Sequence, residues 1–390
     1  MAATVGALVV GVAALAWPRT EVGQGSPPGK LPYFGFNEAS WGTTWRDRAL
    51  EDAVSVAAEA GANTNKLTVR WFDVVGGLGG WDEEAWGRYR HAYETMIDAG
   101  IRPIVMLVGA PRGTDQPNDP AWAPPECTGK LASPPAPEHD QQWKDFVARS
   151  AAEFPDALAF QIWNEPNSSD YWGGCAVDPA RYVQLVDLAG QVLGTDIPIV
   201  SAGLNSSVHE PVGIEWTSYL ETAIDAGLLD DGRARFVGVH PYPHPGSCGT
   251  SPAATGRTMV ESMMSEVEQA ERITDAPIWV TEFGASSATE LSTDCRAIGP
   301  AGQAQVLAEM YDELAANGRV EAVIVHQLVD QAVSDPHLGI AYYWSSFGVT
   351  KNAGPESAFL EPKDAYWCLA ARRGRPSNSS VPCALEASTG

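Results

Sequence analysis

The chain has 390 residues and a formal net charge of −24, with a sequence pI near 4.5. A field of that sign repels phosphate backbones, which argues against nucleic acid as a partner. Apolar residues make up 44% of the chain and include 14 Trp, so it can bury a core and is neither disordered nor fibrous.

Residues 2–17 are apolar and uncharged. The run is shorter than the about 20 residues of a membrane span. It has the form of a signal-peptide core, although no Lys or Arg precedes it. The next stretch, T-E-V-G-Q-G-S-P-P-G-K, reads as a flexible linker. Residues 1–30 are therefore set apart as a signal- or anchor-like segment with its linker, and export is expected. Cys127, Cys175, Cys248, Cys295, Cys368 and Cys383 fall in Gly-, Pro- or Ser-rich stretches or near the C-terminus, and none forms C-x-x-C. That disfavours zinc and suits disulfides of an oxidising compartment. Sequential pairing is expected: 127–175, 248–295 and 368–383. Six free thiols would instead fit a cytoplasmic location.

From Leu31 onward, short apolar runs alternate with longer amphipathic ones. Strands are expected at 31–36, 65–71, 103–108, 157–163, 197–202, 235–240, 277–282 and 322–327. Their apolarity is continuous rather than alternating, as in strands buried on both faces. Helices are expected at 45–60, 81–99, 139–153, 179–193, 213–227, 256–272, 301–316 and 362–371. In the first, Leu50, Ala53, Val54, Ala57 and Ala58 follow the helical stripe. Gly61 and Gly100 stand where left-handed caps belong. Strand–helix alternation of this length predicts the α/β class and a (β/α)8 TIM barrel, a single domain with loop insertions at its C-terminal face. An open doubly wound sheet normally carries a Gly-rich phosphate loop after its first strand, and N-E-A-S-W-G-T-T-W is no such loop. The Pro-rich insert at 109–137 is expected to form a lid or cleft wall.

Barrel active sites lie where the strands end at their C-termini. The second strand ends in Arg70-Trp71, the fourth in Trp163-Asn164-Glu165-Pro166 and the sixth in His240-Pro241-Tyr242. The seventh ends in Thr281-Glu282-Phe283-Gly284 and the eighth in His326-Gln327. Two carboxylates converging there suit glycoside hydrolysis, in which one delivers a proton and the other meets the oxocarbenium-like centre. Asn164 offers an amide to a sugar hydroxyl. Tyr242 and Arg70 suit the task of keeping a carboxylate ionised. Arg70, His240 and His326 equally suit a plain structural role as ion-pair or hydrogen-bond partners. A metal set of Glu165, His240, Glu282 and His326 is the less favoured alternative, because the Trp beside Glu165 suits sugar better. No metal and no cofactor are expected.

W-N-E-P, W-V-T-E-F-G and H-P-Y-P at these strand ends resemble the retaining (β/α)8 glycoside hydrolases of clan A. The nearest neighbourhood is the cellulase-like family 5 and the xylosidase-like family 39. The likeness runs over most of residues 31–371 and includes F-G-V-T near 347–350 and P-K-D-A-Y-W near 362–367. It implies a catalytic domain at 31–372, with 373–390 as a C-terminal tail tied by a disulfide. It also implies Glu165 as acid/base and Glu282 as nucleophile, supported by Asn164, His240, Tyr242 and Arg70. Trp71, Trp163 and Trp344 are expected to stack on sugar. Family 5 enzymes usually place His at the end of strand 3 and Trp at the end of strand 8. Here Gly109-Ala110-Pro111 and His326-Gln327 stand instead, which favours family 39 or an outlying group, with Trp344 as substitute. The expected protein is a secreted, monomeric retaining glycosidase for a β-linked oligosaccharide, polysaccharide or glycolipid. The alternatives are a non-catalytic carbohydrate-binding barrel and a transglycosylase using the same cleft.

Overall fold

The computed structural model describes residues 31–38, 47–76, 80–114, 131–208, 212–244, 248–249, 252–289, 295–331, 340–352 and 360–384. The segment 1–30, Cys127, the middle of the 109–137 insert and the last residues of the tail lie outside these.

The expected strands all form, with ends displaced by at most two residues. They are β1 (Tyr33–Asn37), β2 (Lys66–Arg70), β3 (Ile104–Val108), β4 (Ala159–Ile162), β5 (Ile199–Val200), β6 (Val237–Val239), β7 (Ile278–Phe283) and β8 (Val320–His326). They pair in the order β5-β4-β3-β2-β1-β8-β7-β6, and each ladder is parallel. Parallel bridges Val200↔Phe236 and Asn205↔His240 join the two ends and close the ring. The fold is a (β/α)8 barrel.

Around it run α1 (Asp47–Glu59), α2 (Glu83–Asp98), α3 (Asp140–Glu153), the short α4 (Ser169–Trp172), α5 (Pro179–Leu193), α6 (Trp216–Asp225), α7 (Pro252–Ile273), α8 (Gly299–Ala316), the short α9 (Ile340–Ser345) and α10 (Asp364–Arg372). Local chemistry sets their ends. Asp82 and Asp178 accept from Ala85 and Arg181 backbone N–H groups and start α2 and α5. Gly61 and Gly100 follow α1 and α2 with φ of 86° and 77°, the left-handed conformation that a residue without Cβ adopts freely.

Strand alternation divides the side chains. Phe34, Phe36, Leu67, Val69, Val105 and Leu107 join the large cluster shared with the helices. Tyr33, Ile104, Ala159, Val200, Phe236, Trp279, Ala322 and Ile324 form a separate cluster that fills the barrel interior, with Phe236 and Trp279 stacked at 4.4 Å. On the same inward parity, Asn37, Lys66, Gln161, His240 and Thr281 carry polar groups toward the mouth, and all five are buried. The chain's far end reaches back to this barrel. Arg373 Nη1 donates to the Leu31 carbonyl at 3.0 Å, and its guanidinium lies over the Phe34 ring at 5.4 Å. Cys368 and Cys383 are bonded, as are Cys248 and Cys295. Cys175 is also in a disulfide, while its expected partner Cys127 lies outside the described residues.

Between β1 and β2 the asparagine side chains do part of the pairing. Asn63 Oδ1 accepts from Phe34 N and Asn65 Oδ1 from Phe36 N, both at 2.9 Å. Thr64 carbonyl is thereby pressed onto Gly35, where a Cβ would stand 1.6 Å from its oxygen. Gly35→Ala is expected to cost more than about 3 kcal/mol, beyond ordinary overpacking, read as a shift of the urea unfolding midpoint.

Candidate active site

Two local irregularities bring the carboxylates into the mouth. At β4 the chain turns through left-handed residues: Trp163 has φ of 73° and Glu165 has φ of 41°. Neither is glycine, so the turn stores strain that the surrounding packing must hold. Trp163 is held by Trp143 and Trp172, at 6.1 and 5.9 Å between ring centroids, and by an Nε1 hydrogen bond to the Tyr171 carbonyl. Glu165 is held by its N–H on the Gly203 carbonyl at 3.0 Å. At β7 the ladder to β8 slips: Val280 pairs with Val323, but Phe283 pairs with Val325. One extra residue on β7 is a bulge, and a bulge re-aims a side chain. Thr281 keeps its inward parity, and Glu282 also turns into the barrel mouth.

Glu282 is encircled. Oε1 takes the Lys66 ammonium in a short ion pair and the Asn37 amide at 2.9 Å. Oε2 takes the Tyr242 hydroxyl at 3.0 Å. His240 Nδ1 and His326 Nδ1 each stand 3.9 Å from Oε2. Burial works against its charge, but His240, the Lys66 ammonium and His326 together hold the carboxyl well below the usual carboxylate range. Burial, reinforced by the fields of Glu282 and Glu165, pushes the Tyr242 phenol well above its ordinary value, so it remains a donor. Burial, opposed by the field of Glu282, lowers His326, and its Nδ1 lies 3.1 Å from Asn37 Nδ2.

Glu165 has a different setting. Oε1 lies 3.0 Å from His240 Nδ1 and Oε2 accepts from Asn205 Nδ2 at 3.0 Å. Behind His240, Gln161 Nε2 donates to Thr281 Oγ1 at 3.3 Å, and Thr281 Oγ1 lies 3.1 Å from His240 Nε2. Thr281 Oγ1 thus sits between the Gln161 amide and the His240 ring, on the side of the imidazole away from Glu165. Single ligand atoms of Glu165, His240 and Glu282 lie within 4.8 Å of one another. Both oxygens of both carboxylates already meet protein hydrogen-bonding groups, which suits a hydrogen-bonded acid pair rather than an open ligand set.

The remaining expected residues divide. Asn164 is buried beside Glu165, and its Oδ1 has no hydrogen-bond partner among the described residues. Gln327 is buried, with its backbone carbonyl accepting from Val349. Trp344 is 47% exposed and stacks on Phe347, which touches Tyr242 and His326. Three expectations need correction. Arg70 does not hold Glu282 through its ion pair: its guanidinium faces Asp73 at 3.7 Å, and Lys66, four residues earlier on the same strand face, is the cation on Glu282. Trp71 is buried and stacked flat on Phe146, and Trp163 is fully buried, so both rings serve the core and neither is a sugar platform. Sequence reasoning also missed Asn37, Asn205, Thr281 and Tyr171. Tyr171 stands close enough to feel both carboxylates, which add to burial in raising its phenol. A cavity of about 1140 Å³ opens beside the site, lined by Trp71, Phe72, Trp81, Arg112 and Leu131 among others and by neither carboxylate.

The strand ends of one (β/α)8 barrel thus gather two glutamates, Glu165 and Glu282, in unlike settings. The sequence profile described as glycosyl hydrolase catalytic core matches residues 137–337, more than half the chain, and the chain belongs to that family. No curated protein sequence matches it. Among solved structures, it is similar to a family 39 glycoside hydrolase from Bacteroides cellulosilyticus WH2, at 17% identity and a TM-score of 0.57, over 88% of this chain and 64% of that one. An exo-β-1,4-mannosidase from Opitutaceae bacterium strain TAV5 matches at 15% identity and TM-score 0.57, over 88% and 59%. This chain thus spans about three fifths of the length of those two relatives. A GH1 β-glucosidase from Humicola insolens matches at 14% identity and TM-score 0.60, over 92% and 100%. Identities this low speak for the shared fold.

Lys66 is fully buried beside Glu282, so Lys66→Met strands a buried carboxylate. The expected loss of stability at neutral pH is about 3–5 kcal/mol. The folded-state carboxyl of Glu282 is depressed, so its contribution is present above its unfolded value of about 4.3 and fades below it. The deficit of Lys66→Met against wild type should therefore shrink as pH falls below about 4, in denaturant titrations at several pH values.

Proposed function

We propose that the protein is a secreted retaining β-glycosidase. The observation that carries this reading is the closeness of Glu165 and Glu282, whose ligand atoms lie within 4.8 Å. Retaining pairs stand about 5–5.5 Å apart, and inverting pairs about 6.5–9.5 Å, to leave room for a water. Glu282, kept anionic by Lys66, Asn37 and Tyr242, attacks the anomeric carbon. Glu165 gives its proton to the departing glycosidic oxygen. It then takes a proton from the water that cleaves the glycosyl-enzyme ester, returning Glu282 to its anion and retaining configuration. The His240 imidazole and the Asn205 amide orient Glu165 for both steps. The buried, unpartnered Asn164 Oδ1 suits a donor from a sugar hydroxyl, since an unpaired buried acceptor is costly. The exposed face of Trp344 suits a pyranose ring.

The β-linkage is in keeping with the activities of the β-mannosidase and β-glucosidase of like fold. Export is in keeping with the disulfides. Among the described residues, no helix is long and apolar enough to cross a membrane.

A panel of aryl β-glycosides and β-glucan, xylan and mannan oligomers tests the reading. Wild type is expected to cleave at least one, Glu282→Ala to be inactive, and azide to restore turnover as the α-glycosyl azide. Retained activity in Glu282→Ala would refute the mechanism. Glu165→Ala should lose about 10²–10⁴ in kcat/KM, least for aryl leaving groups that need no proton. Trp344→Ala should raise KM about fivefold to tenfold, the loss of one ring contact of about 1–1.5 kcal/mol, with kcat little changed.

A further inference from the structure

Gln303, near the start of α8, is fully buried, and four backbone carbonyls converge on its Nε2. Ala285 lies at 3.0 Å and Gly348 at 3.1 Å, with Phe347 at 3.3 Å and Ser346 at 3.4 Å. Four acceptors around one end of the amide identify that end as the NH2 group. Its own Oε1 has no hydrogen-bond partner among the described residues, a cost that an apolar side chain of the same size would not carry. The four carbonyls come from two segments. Ala285 stands three residues beyond Glu282, just past the end of β7. Ser346, Phe347 and Gly348 follow Trp344 within four residues. We propose that Gln303 is a positioning residue for substrate: its amide seats the segment of Trp344 and Phe347 on the end of β7, and so sets where the exposed indole stands relative to Glu282. The proposal rests on the reading of Trp344 as a sugar contact.

Carbonyl oxygens brought together in the interior repel one another, and each needs a donor. One NH2 group shared among four oxygens offsets both costs. Phe347 is the side chain that this seat holds. Its ring stacks on Trp344 at 5.4 Å with 13° between the planes. It stands 6.0 Å from Tyr242 and 5.9 Å from His326 between ring centroids. It also presses on the chain just after β7, where a Cβ on Gly284 would stand 2.8 Å from Phe347 Cδ1. Ser287 N and Lys363 Nζ give the Ser346 and Gly348 carbonyls a second donor, each at 2.8 Å. The segment can therefore stay folded when the amide is removed, while losing that tie to Ala285. Glu282 is held by Lys66, Asn37 and Tyr242, and the four acceptors of Gln303 belong to none of these. The seat thus acts on binding more than on the chemical step.

Gln303→Met keeps the length of the side chain and removes its donors. With the substrate that wild type cleaves, positioning raises KM about fivefold and leaves kcat within about twofold. An unchanged KM overturns the proposal, and so does a fall in kcat that outweighs the rise in KM. A double-mutant cycle with Trp344→Ala separates positioning from a general loosening of the fold. If Gln303 acts through Trp344, adding Gln303→Met to Trp344→Ala raises KM by less than about twofold further, whereas independent roles multiply the two effects. A full product of the two effects overturns the proposal. If Gln303→Met does not fold, Gln303→Asn keeps the NH2 group and draws it back by one carbon. It is expected to raise KM in the same way, and an unmoved KM there counts against the seat. Trp344→Ala by itself keeps the two ideas apart. A raised KM in that variant beside an unchanged Gln303→Met sinks the seat alone, whereas an unchanged KM in Trp344→Ala sinks the sugar contact on which the seat rests.

Discussion

The site depends on one buried charge pair, Lys66 with Glu282. A carboxylate inside a barrel is expensive to keep ionised, and a lysine there is equally expensive alone. Set against each other, and completed by Asn37 and Tyr242, they become a fixed anion at the mouth. The apolar plug of Phe236, Trp279 and their neighbours fills the interior, which keeps the dielectric low and the pair strong. Everything around Glu282 is a consequence of having to satisfy that anion. Around Glu165 the partners are instead the Asn205 amide and the His240 imidazole, with no lysine on its oxygens among the described residues.

Much of this was legible in the sequence, for physical reasons. Strands buried on both faces read as unbroken apolar runs, and the intervening stripes have the helical period, so the barrel could be recovered almost element by element. Glu165 and Glu282 stood out because charged groups at the tips of such runs need a purpose. Lys66 did not stand out, because attention to strand ends favours Arg70. In a barrel the strands are staggered, and Asn37 at the end of β1 pairs with Lys66 at the start of β2. Stagger is a property of the closed ring, and no single strand displays it.

The misread tryptophans teach a different point. Trp71 and Trp163 follow strands that end at the mouth, and position alone made them candidates for sugar contact. What decides their role is the neighbouring aromatic seam of Trp143, Phe146 and Trp172, which takes them into the core. Side-chain exposure is set by tertiary packing, and a sequence read in one dimension does not contain it. The β7 bulge and the left-handed turn at Trp163 and Glu165 were hidden for the same reason: no glycine marks either place.

The grip of Arg373 on Leu31 and Phe34 has a consequence for how the chain is made. A ribosome releases β1 first, yet the residue that clamps the base of that strand emerges hundreds of positions later. β1 also delivers Asn37 to Glu282 and pairs with β8 along its length. The ring therefore closes only after β8 has been made, because β1 pairs with β8 along its whole length. Asn37, delivered by the first strand, thus meets Glu282 and His326 across a seam that only the eighth strand completes.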